Sequence, residues 1–73
     1  MKYDNDMNKF GEKLKEMRTE KKLSQKELAK ALEVDQRSIS NWETGFRQPD
    51  YNTLIRISKY FNVTTDYLLG LED

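Results

Sequence analysis

Cysteine and histidine are both missing from this chain of 73 residues. Together the two absences exclude disulfides, thiolate chemistry, imidazole base catalysis and the usual zinc ligands. A chain this short has room for one small domain and too little for a deep pocket or a second core. A small domain that holds together without covalent staples fits a reducing compartment, so the expectation is the cytoplasm. Long apolar runs are missing as well. No stretch approaches the length that spans a bilayer, and the start MKYDNDMNKF lacks the apolar core of a signal peptide. No membrane partner, cofactor, metal or small-molecule ligand is implied. The last absence is an excess of either charge. Lys plus Arg and Asp plus Glu stand at 13 each, so bulk charge does not announce a nucleic-acid partner. Lys9 to Asp50 holds ten basic and eight acidic residues, and the two flanks together hold three and five. The middle is only mildly basic, and any nucleic-acid surface has to be built from placement.

What is present is a succession of helical patterns. Residues 1–8 are polar, without an apolar period, and read as a flexible lead-in that carries no fold. From there Phe10, Leu14 and Met17 form the i, i+4, i+7 stripe of an amphipathic helix that ends near Lys21. Ser24 and Glu27 have the spacing of a capping box and open a second helix, whose buried face is Leu28, Ala29 and Leu32. Glu33 and Val34 interrupt the pattern before Asp35, a good N-cap residue, starts a third short helix from Gln36 to about Glu43 with Ile39 and Trp42 inward. Gly45 and Pro49 bound the next loop. Asp50 then caps a fourth helix carrying Leu54, Ile57 and Phe61, and Thr64 caps a last one through Leu68 and Leu69, ending at Gly70. Val and Ile nowhere alternate with polar residues over a sustained stretch, so no strand is expected. The domain is drawn at residues 9–70, with a tail over 71–73.

The second and third helices, joined by a short turn, have the form of a helix-turn-helix. Ala29 is the small residue that lets the third helix cross close over the second. Burying Ile39 and Trp42 turns Gln36, Arg37, Ser40 and Asn41 outward. Gln and Asn can make paired hydrogen bonds to adenine and Arg to guanine, so this face suits base edges in a major groove. The bland alternative is an ordinary polar helix surface.

At these residues the chain resembles the Cro/repressor-type helix-turn-helix family, also called the xenobiotic-response-element or XRE type. The resemblance rests on LSQKELAKALEVDQRSISNWETGFRQPD followed by LIRISKYFNVTTDYLL, and covers about four fifths of the chain. It implies an all-α fold, a compact five-helix bundle with a helix-turn-helix of the lambda-repressor-like kind. Its third helix would dock in the major groove of double-stranded DNA. Gln36, Arg37, Ser40 and Asn41 would then read bases. Gln25 would contact phosphate and brace the recognition helix, with Lys26, Ser38, Arg47, Tyr51 and Asn52 as further phosphate contacts, the last two through free N–H groups at a helix start. Ser38, at the third helical position, can instead serve the cap. Arg18 and Glu43 match the family's structural ion pair and are not DNA contacts. Lys22 and Glu33 stand where the family often has Gly, at positions of positive φ, a departure that costs about 1 kcal/mol at each. Asp35 replaces the more frequent Ser or Thr; it caps well, but its charge near phosphate weakens non-specific binding.

Tyr60, Tyr67, Leu68 and Leu71 exceed what so small a core encloses, while Trp42 and Phe61 read as core. The excess residues are expected at a two-fold interface through the last helix, as the resemblance also implies. A homodimer would set two recognition helices about 34 Å apart, matching an inverted-repeat operator. The functional expectation is a sequence-specific DNA-binding transcriptional regulator, most simply a repressor. The alternatives are a protein-interaction module such as an antitoxin-like partner, or the DNA-binding part of a longer repressor. An enzyme would need a Ser–Lys or paired-carboxylate scheme, and the four serines are otherwise explained as caps, helix surface or core edge.

Overall fold

The computed structural model describes the backbone of residues 2–72 and the side chains of residues 9–72. Five helices follow one another: α1 (Lys2–Glu20), α2 (Gln25–Leu32), α3 (Gln36–Thr44), α4 (Tyr51–Phe61) and α5 (Thr65–Leu68). Among the described residues there is no strand. Among the same residues no helix is long and apolar enough to cross a membrane. α1 starts well before its apolar stripe, so its backbone is helical where the sequence suggested a lead-in without fold. Neither Gly nor Pro interrupts residues 2–8, and a helix anchored at Phe10 extends at little cost once nucleated. Met1 and Asp73 lie outside the described residues.

Each start signal operates as its residues dictate. The capping box is closed in both directions, with Glu27 N–H donating to Ser24 Oγ at 3.0 Å and Ser24 N–H donating to Glu27 Oε1 at 2.8 Å. Asp35 accepts from Arg37 N–H, and Thr64 accepts from Tyr67 N–H. Asp50 accepts from Thr53 N–H at 2.8 Å. Hydrogen bonds from the Thr53 side chain and then its backbone hold the Asp50 carboxyl below its ordinary value of 3.8, with a smaller pull from Arg56. The capping charge is therefore fully present above that ordinary value and is lost only as pH falls through the lowered one.

Four helices end the same way. Lys22, Glu33, Asn62 and Gly70 each adopt positive φ, between 57° and 76°, and each is followed by an apolar residue. The N–H of that residue bonds five residues back, as Leu23 does to Arg18 O, Val34 to Ala29 O, Val63 to Ser58 O and Leu71 to Asp66 O. This is the Schellman arrangement. Leu23, Val34 and Val63 go on to pack against the core, whereas Leu71 is 72 % exposed. Lys22 and Glu33 thus carry the left-handed strain their positions implied, and Asn62 joins them. Glu33→Gly should stabilise the domain by about 0.5 kcal/mol, because relief of Cβ strain slightly outweighs the greater freedom of unfolded glycine. Thermal unfolding should shift upward by a few degrees; an unchanged or lower midpoint would show that Glu33 is held by contacts worth more than the strain.

The core is built from all five helices. Leu14, Leu28, Ile39, Ile57 and Leu68 are completely enclosed, with Phe10, Trp42 and Phe61 around them. Leu68 is the residue whose expected role is overturned. It cannot lie on a two-fold interface, because α5 packs against α1 and α4 and the Thr64 cap sets the phase of its single turn so that Leu68 points inward. Tyr67 is half-buried against the core, with the Lys13 ammonium 4.4 Å from its ring centre. Tyr60 is 40 % exposed and meets Phe61 edge-on. Arg56 of α4 donates through Nη2 to Leu32 O at the end of α2.

Candidate nucleic-acid interface

α3 is held from behind by two devices. The first is a charged cluster. Arg18 Nε donates to Glu43 Oε2 at 2.6 Å and Nη2 to Glu43 Oε1 at 3.1 Å, while Nη1 donates to Leu23 O at 2.8 Å. Gln25 Nε2 adds a bond to Glu43 Oε1 at 3.1 Å. The side chains of Arg18 and Glu43 are 11 % and 4 % exposed, so the carboxylate ties α1 and α2 to α3 in a nearly dry place, and Arg18 adds the turn after α1 through Leu23 O. A bidentate guanidinium and a third donor leave little of the carboxylate's hydrogen-bonding capacity unmet, which is what a buried charge requires. The second device is a close helix crossing. A Cβ on Gly11 of α1 would stand 2.4 Å from Trp42 O and 2.7 Å from Glu43 O, both backbone atoms of α3.

The front of α3 is graded rather than uniform. Gln36 and Arg37 are exposed, whereas Ser38, Ser40 and Asn41 are half-buried. The residues expected to read bases therefore share one helix but not one height: the first turn stands proud and the second lies lower. Arg37 is lightly tethered, its Nε 3.7 Å from Asp35 Oδ1 with both side chains in water, a pairing weak enough to be exchanged for another acceptor. Asp35 had been expected only as a cap and as a charge opposing phosphate. It also takes a share in positioning Arg37.

Of the expected phosphate contacts, Lys26, Arg47, Tyr51 and Asn52 are exposed and Gln25 is half-buried. Gln25 spends one amide hydrogen on Glu43, so it braces α3 with one bond and keeps its second N–H and its oxygen. Arg47 N–H donates to Asn41 O at 3.2 Å, fixing the loop to the last turn of α3, and Thr44 Oγ1 donates to Ser40 O and Asn41 O. At the start of α4 the Asp50 carboxylate already takes the Thr53 N–H. That leaves the N–H groups of Tyr51 and Asn52 for an incoming acceptor, beside a negative charge.

Sequence reasoning missed Gly11 and exposed Phe46. A lone Gly between Phe10 and Leu14 in a helix was a usable signal, since Gly in a helix interior costs about 1 kcal/mol relative to Ala and asks for a packing reason. Ala29 is buried as expected, but the approach that forbids a Cβ is at Gly11, between α1 and α3.

Residues 14–68 match the family model described as helix-turn-helix. The chain is 43 % identical over 64 residues to the HTH-type transcriptional regulator ImmR of Bacillus subtilis, covering 88 % of this chain and 50 % of that one. It is 47 % identical over 64 residues to the HTH-type transcriptional activator BcrR of Enterococcus faecalis, covering 88 % and 31 %. Against the HTH-type transcriptional regulator DicA of Escherichia coli the figures are 36 % over 65 residues, 88 % and 48 %. The chain thus spans about half or less of the length of these curated relatives. Its fold is similar to the crystal structure of the restriction-modification controller protein C.AhdI from Aeromonas hydrophila, with a TM-score of 0.78 at 30 % identity over 88 % of this chain and 97 % of that one. With the matching model, the five-helix architecture and the braced α3 together, this chain belongs to the XRE-type helix-turn-helix family.

Proposed function

We propose that the protein is a DNA-binding transcriptional regulator, most simply a cytoplasmic repressor. As a homodimer it would set α3 of each copy into successive major grooves of an inverted-repeat operator. The observation that carries this reading is the contrast between the two sides of α3. Its back is immobilised by the Arg18–Glu43–Gln25 cluster and the Gly11 crossing, and its front offers exposed Gln36 and Arg37 above half-buried Ser40 and Asn41. A rigid helix with paired donors and acceptors is what direct readout of base edges requires. Arg47, Lys26, Tyr51 and Asn52 flank that helix and supply register through phosphate. The relatives named as transcriptional regulators support the same reading. Exposed Tyr60, Leu69 and Leu71 support a two-fold contact beside α5.

The test is selection of bound sequences from a random duplex library at about 150 mM salt, followed by binding of the recovered duplex against a scrambled control. An inverted repeat with half-sites about one helical turn apart is the expected result. If no sequence is enriched, base readout fails and the protein-interaction reading takes its place.

Two variants separate the roles within the interface. Arg37→Ala should weaken the selected site by roughly 1–3 kcal/mol and relax preference at one base pair; equal loss on scrambled DNA would remove Arg37 from the base-reading set. Arg47→Ala should weaken all sequences alike and reduce the slope of log affinity against log salt by about one unit. A slope that stays the same would remove Arg47 from the phosphate contacts.

A further inference from the structure

Phe46 has no part in the core. It follows Gly45, the left-handed C-cap of α3, and stands 74 % exposed in the loop toward α4. An isolated exposed aromatic is unremarkable by itself, but this ring has a partner. The Arg47 guanidinium carbon lies over it at 5.6 Å from the centroid, within range of a cation–π interaction. Arg47 is also fixed at its other end, because its N–H donates to Asn41 O on α3. Among the described residues no carboxylate pairs with Arg47.

We propose that Phe46 is a positioning residue for DNA binding, stacking on the face of the Arg47 guanidinium so that its N–H edge is presented to a backbone phosphate. The chemistry favours a ring over a carboxylate in this place. A guanidinium is planar, and its five N–H groups lie in the plane. A carboxylate partner occupies that edge and competes with phosphate, whereas an aromatic ring uses the face and leaves the edge open. A long side chain otherwise mobile in water is thus ordered before DNA arrives, and less freedom is lost on binding. The inference rests on Arg47 as a phosphate contact, and the experiment separates the two ideas.

Binding of the full chain to the selected duplex and to a scrambled duplex is measured across a salt series for wild type, Phe46→Ala, Phe46→Leu, Phe46→Tyr, Arg47→Ala and the double variant Phe46→Ala/Arg47→Ala. Phe46→Ala and Phe46→Leu should each weaken both duplexes about two- to fivefold, with unfolding midpoint unchanged, and Phe46→Tyr should bind as wild type. In the Arg47→Ala background, removing the ring should have no further effect. A full loss for Phe46→Ala in that background, or wild-type binding by Phe46→Leu, overturns the proposal, since the ring would then touch DNA directly or act only as apolar bulk. If Arg47→Ala weakens binding and Phe46→Ala is silent, the phosphate contact stands and the role of the ring falls. If Arg47→Ala is itself silent, both fall.

Discussion

Gly11→Ala should destabilise the domain by roughly 3 kcal/mol or more, although helix propensity alone argues for the opposite sign. In an isolated helix Ala is favoured over Gly by about 1 kcal/mol. Here the added methyl would meet Trp42 O at 2.4 Å and Glu43 O at 2.7 Å. Both are main-chain atoms in the last turn of α3, so no side-chain rotation relieves the contact. α3 must move away from α1, and overpacking of this kind typically costs 1–3 kcal/mol, with backbone displacement at the upper end or beyond. The shift would also pull Glu43 from Arg18, which sits on α1, so the crossing and the ion pair fail together. Urea unfolding of Gly11→Ala beside the exposed control Lys15→Ala is the measurement. A midpoint at or above wild type for Gly11→Ala would mean that α1 and α3 do not approach as closely as described.

Glu43→Ala should have a comparable effect by another route. It leaves the Arg18 guanidinium, 11 % exposed, with only Leu23 O among its three hydrogen-bond contacts, and it also strips Gln25 of its partner. Removing one side of a buried pair costs about 3–5 kcal/mol, because the other charge stays in a poor solvent. For a domain of this size that corresponds to a fall of roughly 12 °C or more in the midpoint. The penalty belongs to the stranded charge and not to the pair. Replacing both members with apolar residues, as in Arg18→Met/Glu43→Leu, should therefore restore much of the stability. A loss under about 1 kcal/mol for Glu43→Ala would show that water reaches Arg18 freely. The double replacement would also reveal whether charge at this point is needed for the angle of α3. If the refolded variant has lost preference for the duplex selected with wild type, the cluster orients α3 as well as anchoring it.

The parts of the molecule legible in the sequence are those governed by short-range chemistry. Ser24, Asp35, Asp50 and Thr64 start their helices because a side-chain oxygen reaches an N–H two or three residues on. The apolar residues at helical spacing are buried because a 3.6-residue period selects one face. The Arg18–Glu43 pair and the left-handed turns at Lys22 and Glu33 were legible only through resemblance to a family, since nothing local marks them.

The sequence by itself determined that this protein has five helices in this order, no disulfide to staple them, and a polar face of α3 opposite Ile39 and Trp42. Tertiary structure alone decided which surfaces meet. Gln25 turns to Glu43, 18 residues away, and Leu68 closes the core instead of facing a partner. Phe46 stays in water over Arg47, and Gly11 admits the backbone of α3. Caps and periods are set within about one turn of chain, whereas helix approach distances and the fate of a side chain at the rim depend on how several helices pack at once.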